Sequence, residues 1–133
     1  MGNGLVEKYD SAAIRHYEDA QLLRASGKFD NAGHLVGFAA ECAIKYQISS
    51  LKLGQQSPYG HLPDFLTVAR KHLNGRGSYP YSEMFNLVKQ NIFSGWSVNR
   101  RYFQTGNTTE NELVTWFGVT KRLFVAAKLK VRQ

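Results

Sequence analysis

One stretch of sequence decides the fold: FDNAGHLVGFAAECAIKYQISSLKL, from Phe29 to Leu53. Small and apolar residues recur along it at steps of three and four, which is the spacing of an α-helix. They are Phe29, Gly33, Gly37, Ala40, Ile44, Ile48 and Leu51. Gly54 follows directly and predicts where the helix ends. We therefore expect a long helix at the centre of the fold.

Two glycines, Gly33 and Gly37, lie in the interior of this predicted helix. Glycine in a helix interior costs about 1 kcal/mol relative to alanine. Together with Ala40 they form a shallow groove, and close approach of another helix would offset the cost. The glycines therefore predict a helix that is buried on most sides.

The rest of the chain predicts four further helices joined by short loops. They cover Tyr9 to Ala25, His61 to Leu73, Pro80 or Tyr81 to Phe93, and Thr109 to Lys130. Asp10 or Ser11 is the expected N-cap of the first helix, and Thr109-x-x-Glu112 is a capping box that opens the last. The expected core face of the last helix is Leu113, Trp116, Phe117, Thr120, Leu123, Phe124 and Ala127. The predicted fold class is all-α, an up-and-down bundle of four to five helices.

Composition sets the class of protein. A length of 133 residues with 43% hydrophobic side chains predicts one domain, residues 1–133, with one core. The lone cysteine, Cys42, cannot form an internal disulfide and is expected to be a small core residue in a reducing compartment. No apolar run approaches the ~18 residues of a membrane span, and no signal peptide is recognisable. We expect a cytoplasmic protein with no membrane contact, no cofactor and, without Cys or His pairs at ligand spacing, no metal.

Positive charge is concentrated in the last third of the chain. The whole sequence carries 17 basic and 10 acidic side chains, a net charge of +7. Residues 95–133 hold seven basic and two acidic side chains, whereas residues 1–53 hold six of each. The last third would attract phosphate groups, or would be an ordinary basic surface.

The irregular segment Ser94–Asn107 contains the densest mixture of aromatic and basic residues. They are Trp96, Arg100, Arg101, Tyr102 and Phe103. Arg100 and Arg101 beside Tyr102 are typical of a site for phosphate and a stacked base. In the alternative interpretation, which we favour, one arginine pairs with Glu41 and Tyr102 packs in the bundle. A carboxylate within so apolar a helix needs a partner.

Several short motifs follow one another along the chain. They are Ala13-x3-Tyr17-x2-Ala20, then Gly27-x-Phe29-x2-Ala32, then Ala39-x-Glu41-x-Ala43-Ile44-Lys45, then His61-Leu62 and Arg101-Tyr102. This series resembles the HEPN domain family (higher eukaryotes and prokaryotes nucleotide-binding domain), most specifically in the second helix. The resemblance implies a bundle of four to five helices that is usually dimeric and binds RNA or nucleotides.

Many HEPN domains are metal-independent ribonucleases of toxin–antitoxin or phage-defence systems. Their activity depends on an R-x4-6-H motif, in which histidine acts as general acid or base and arginine stabilises the transition state. In this chain no histidine follows Arg100 or Arg101, because all four histidines lie upstream, at positions 16, 34, 61 and 72. The usual catalytic pair is therefore absent.

Three hypotheses of function follow. The first is a non-catalytic HEPN-like module that binds RNA, a nucleotide or a partner protein such as a nucleotidyltransferase or defence effector. Its candidate ligand-binding residues are Glu41, Asn99, Arg100, Arg101 and Tyr102. The second is a divergent ribonuclease that uses Arg100 or Arg101 with His34 or Tyr102, although a lone helical histidine more often has a packing role. The third is a pure protein-interaction domain, and the resemblance predicts a homodimer in each case.

Overall fold

The computed structural model describes residues 8–50, 62, 65–73, 82–90 and 92–131. It contains five α-helices in these ranges: α1 (Tyr9–Ala25), α2 (Phe29–Ser50), α3 (Phe65–Leu73), α4 (Ser82–Val88) and α5 (Glu110–Ala127). A short 3₁₀ helix, Val98–Tyr102, lies between α4 and α5. The described residues include no strand, so the predicted all-α class is confirmed.

Helix α2 is the centre of the bundle. It packs against α1, α3, α5 and the 3₁₀ helix, while α4 contacts α3 and α5. Its fully buried side chains are Ala32, Val36, Ala39, Ala40, Ala43 and Ile44. Short side chains allow the neighbouring helices to approach on several sides at once. The central position matches the prediction, and the expected end at Leu53 lies outside the described residues.

Helix α1 has the predicted bounds, Tyr9–Ala25. Its buried face consists of Ala13, Tyr17 and Ala20. Gly27 ends it with a φ of 78°, a conformation that glycine adopts without strain. The predicted N-cap is wrong: Lys8 occupies that position and its side chain makes no capping hydrogen bond, whereas Asp10 and Ser11 already lie inside the helix.

Helix α5 begins as predicted and ends earlier. Thr109 accepts from the Glu112 N–H and Glu112 accepts from the Thr109 N–H, so the capping box is complete. All seven residues of the predicted core face are buried. The expected end at Lys130 is wrong, because Lys128 turns into the left-handed region with a φ of 62° and stops the helix after Ala127.

Helix α4 is shorter than the predicted span to Phe93. It ends at Val88, and residues 92–95 form a turn. Arg70 of α3 donates from Nε to the Val88 carbonyl at 2.7 Å and from Nη2 to the Gln90 carbonyl at 3.1 Å. A guanidinium that satisfies the last carbonyls stabilises a helix end at this point. The predicted first residue of α3, His61, lies outside the described residues. Leu62 lies in a turn, and the helix begins at Phe65.

The glycines of α2 are contacted by two tryptophans. A methyl group at Gly33 would lie 3.0 Å from Cζ3 of Trp116 in α5, so the expected close approach of a helix is confirmed there. At Gly37 the expectation of a helix is wrong, because a methyl group would overlap the indole of Trp96. Trp96 lies between α4 and the 3₁₀ helix, and its Nε1 donates to the Gly33 carbonyl at 2.8 Å.

Two glycine-to-alanine substitutions should have opposite effects on stability. Gly37→Ala should lower the free energy of unfolding by about 1–3 kcal/mol, because its methyl group displaces a buried indole. Gly118→Ala in α5 should raise it by about 1 kcal/mol, because a methyl group there meets no atom within 4 Å. Urea denaturation monitored by circular dichroism measures both. Shifts of the same sign would contradict this account of the two sites.

Candidate functional site

Asp30, in the first turn of α2, holds the loop that precedes α5. Its carboxylate accepts from the N–H of Gly106 at 2.8 Å and from the N–H of Thr108 at 3.0 Å. These bonds, the one from Gly106 first, lower the pKa of Asp30 because they stabilise its charged form. The loop is therefore fastened to the start of α2 by a charge-assisted contact.

Arg100 of the 3₁₀ helix is engaged within the chain. Its Nη1 donates to the Gly95 carbonyl at 2.7 Å, and its Nη2 donates to Asn107 Oδ1 at 2.9 Å and to Glu112 Oε1 at 3.1 Å. The guanidinium carbon lies 5.1 Å from the ring centre of Trp116. Only 10% of the side chain is exposed. Arg100 thus joins the 3₁₀ helix to the capping box of α5.

Two aromatic side chains beside Arg100 face solvent. Tyr102 is 76% exposed and Phe103 is 49% exposed. Asn99, on the same 3₁₀ helix, is also exposed, whereas nothing is described of the Arg101 side chain. The expectation that Tyr102 packs in the bundle is wrong, because Arg100 is the residue of this 3₁₀ helix that points inward, towards Trp116 and Glu112. These aromatics form a surface on which planar groups could stack.

A cleft of about 400 Å³ opens between this segment and the start of α2. Its α2 side includes Lys28, Asp30 and His34, and its other side includes Arg100, Phe103 and Thr105. The N-terminal end of a helix carries partial positive charge, and the exposed Lys28 adds to it. The cleft therefore combines the Phe103 ring with one exposed cation, Lys28, while its Asp30 carboxylate and Arg100 guanidinium are engaged within the chain.

His34 lies against aromatic rings. Its ring stacks on Trp96, with centres 5.8 Å apart, and meets Phe38 edge-on at 4.8 Å. The structure brings His34 and Arg100 to the same cleft, as the ribonuclease hypothesis requires. The ring contacts also fit the packing role that a lone helical histidine usually has.

Glu41 lies elsewhere. It pairs with Lys45 one turn further along α2, at 2.9 Å, and its other oxygen accepts from the Leu62 N–H at 3.1 Å. It lies seven positions after His34, about 10 Å further along the helix. The expected pair of Glu41 with an arginine is therefore wrong for Arg100, which pairs with Glu112, and the Arg101 side chain lies outside the described residues. Glu41 does not line the cleft.

Sequence reasoning missed three participants at this site: Asp30, Glu112 as the partner of Arg100, and Phe103 as a cleft residue. Glu112 was identified only as a capping residue, and its Oε1 in fact serves both Thr109 and Arg100. The Glu41–Lys45 pair was detectable, because residues four apart on a helix are neighbours. The contacts of Asp30 join residues 76 and 78 positions apart and have no local signal.

Two kinds of feature are absent from the described residues. No group of three or more His, Cys, Asp and Glu side chains there is arranged to hold a metal ion. No helix there is long and apolar enough to cross a membrane. Comparison of the chain with protein-family models, curated proteins and solved structures finds no match.

The contacts of Asp30 predict a pH dependence of stability. Because the pKa of Asp30 is lower in the folded chain than in the unfolded chain, its contribution is complete above about pH 4. It is lost as the pH falls through the folded value. Lowering the pH should therefore reduce the free energy of unfolding of the native chain by more than it reduces that of the Asp30→Asn variant. Urea denaturation between pH 6 and 2 measures both. Asp19→Asn, an exposed site on α1, is the control and should keep the native pH profile. Parallel profiles for the native chain and Asp30→Asn would contradict the prediction.

Arg100→Lys should lower the free energy of unfolding by about 1–3 kcal/mol. A lysine ammonium cannot reach the Gly95 carbonyl, Asn107 and Glu112 together, because it lacks the planar fork of the guanidinium. Arg15→Lys, at an exposed position of α1, is the matched control and should change stability little. Thermal unfolding followed by circular dichroism compares the two. Equal midpoints would show that Arg100 is not a structural anchor.

Proposed function

We propose that this chain is a non-catalytic HEPN-like module that binds single-stranded RNA at the 3₁₀ helix and the adjoining cleft. The observation that carries the proposal is the exposure of Tyr102 and Phe103, because Phe103 also lines a cleft that contains the exposed cation Lys28. Base stacking on exposed aromatics, combined with cations for the backbone, is the common means of binding single strands. The motif order and the all-α bundle support the family resemblance.

The state of Arg100 favours binding over catalysis. A catalytic arginine must direct donors at the charge that develops in the transition state. Here Nη2 is directed at Asn107 and Glu112, and Nη1 at the Gly95 carbonyl. The absence of any histidine after Arg101 points the same way. The toxin–antitoxin or defence setting, the nucleotidyltransferase or effector partner and the homodimer remain predictions from the resemblance.

One observation favours a second candidate, a divergent metal-independent ribonuclease. His34 and Arg100 line the same cleft, where an imidazole could act as acid or base beside a cation. Incubation of labelled RNA in the presence of EDTA separates the candidates. Cleavage that is lost in both His34→Ala and Arg100→Ala, with both variants folded by circular dichroism, would support the ribonuclease and overturn the non-catalytic proposal. Intact RNA at protein excess would eliminate the ribonuclease.

The binding proposal predicts a specific role for the Tyr102 ring. Tyr102→Ala should weaken the binding of a fluorescent single-stranded RNA by about tenfold, because one stacked base is lost. Tyr102→Phe should bind as the native chain does, since it keeps the ring. Leu22→Ala, which removes an equally exposed side chain of α1, is the control. Fluorescence anisotropy gives the affinities.

Salt dependence completes this test. The affinity should fall as salt rises, because phosphate contacts release counterions. If the native chain binds no RNA at low salt, the proposal is wrong and a protein-interaction domain is favoured. If Tyr102→Ala binds as tightly as the native chain, the binding surface lies elsewhere.

A further inference from the structure

The middle of α5 contains a glycine that no contact within the described chain explains. Gly33 and Gly37 make room for Trp116 and Trp96, whereas a methyl group at Gly118 would meet no atom within 4 Å. Glycine at such a position costs about 1 kcal/mol relative to alanine. A close neighbour outside this chain would account for it.

Gly118 belongs to a stripe on the solvent side of α5. Val114, Gly118, Lys121 and Val125 follow one another at steps of four, three and four, so they share one face of the helix. That face lies opposite the buried side of α5. Val114 is 56% exposed and Val125 is 70% exposed. This spacing is how a helix presents anchor residues to a partner helix.

The stripe borders a groove of about 380 Å³ between α5 and α4. Leu87 of α4 and Val125 and Ala126 of α5 give the groove an apolar lining. The cations Lys121 and Arg122 lie along its α5 side and Glu83 lies along its α4 side, and all three residues are exposed. The groove shares no lining residue with the cleft beside Phe103, so it is a separate surface.

From these observations we infer that the outer face of α5 and its groove bind an amphipathic helix of another protein, with an apolar stripe flanked by acidic residues. Gly118 allows the two helix backbones to approach closely, and Val114 and Val125 pack on either side of that point. Lys121 and Arg122 pair with the acidic flank. Among the described residues that line the groove, two cations against the single carboxylate of Glu83 leave a positive excess, which an acidic partner complements. A second copy of this chain would bring two such positive faces together. Stacking surfaces for bases are absent among the residues that form this face.

The test uses the whole chain and a designed helical peptide. The peptide has roughly 18 residues, about five turns, with a leucine and alanine stripe and glutamate flanks. A matched peptide carries lysine in place of glutamate. Fluorescence anisotropy should show that the acidic peptide binds about tenfold more tightly than the basic one. The double variant Lys121→Glu with Arg122→Glu should reverse this preference.

Two further variants examine the apolar contact. Gly118→Leu should weaken binding of the acidic peptide by about tenfold, because the added side chain prevents the close approach of the two helices. The chain should stay folded, because a Cβ at this position meets no atom within 4 Å. Val125→Glu should weaken it similarly. Leu22→Glu, at an exposed apolar position of α1, is the control and should leave it unchanged.

Four outcomes would overturn the inference. The first is equal binding of the two peptides by the native chain. The second is native affinity in Gly118→Leu and Val125→Glu. The third is a dimer, measured by light scattering, that Val125→Glu dissociates, since the occupant would then be a second copy. The fourth is displacement of the peptide by single-stranded RNA in a competition that Tyr102→Ala does not alter, since RNA would then occupy this face.

Discussion

The arrangement of the described residues depends on one contact, the Trp96 indole against Gly37 of α2. The indole is almost fully buried, and its Nε1 donates to the carbonyl of Gly33 one turn away. A buried indole needs such an acceptor, and only a residue without a side chain leaves room for the ring to reach it. This contact fixes the segment after α4 to the central helix. It therefore determines where the following 3₁₀ helix lies.

Polar contacts then fasten the other end of the same segment. Asp30 holds Gly106 and Thr108, and Arg100 joins the 3₁₀ helix to Glu112 at the start of α5. The exposed aromatics lie between these two fixed points. A loop held in this way loses little conformational entropy when a ligand binds, which favours affinity. The exposure of Tyr102 is thus the result of a restrained backbone.

Local features of the fold were predictable from the sequence, and long-range ones were not. The bounds of α1, the capping box of α5 and its buried face follow from periodicity and capping, which are encoded within a few residues. The end of α4 was misplaced because Arg70, on a different helix, satisfies its last carbonyls. The glycines of α2 correctly predicted a close approach, but nothing in the sequence distinguishes a helix from a single indole at Gly37.

For the site, the sequence identified the segment and misassigned the contacts. Arg100 was expected to bind phosphate or to pair with Glu41, and it pairs with Glu112. The charge of Glu41 is matched by Lys45, four residues away. Pairings between residues far apart depend on the packing of whole helices, which periodicity does not encode. The exposure of the Tyr102 and Phe103 side chains also depends on this packing, so periodicity does not predict it.

The engagement of Arg100 also determines which chemistry this site favours. Freeing its guanidinium for a substrate would leave Glu112 without one of its two donors at the start of α5 and the Gly95 carbonyl without its arginine. The loss at the partly buried Glu112 costs about 1 kcal/mol, whereas water can replace the arginine at the exposed Gly95 carbonyl. A substrate would have to supply that energy before it gained any stabilisation in the transition state. Under the proposed binding function, Arg100 keeps these contacts when the ligand binds, so no energy is needed to break them. Tyr102 and Phe103 remain exposed while Arg100 stays in place.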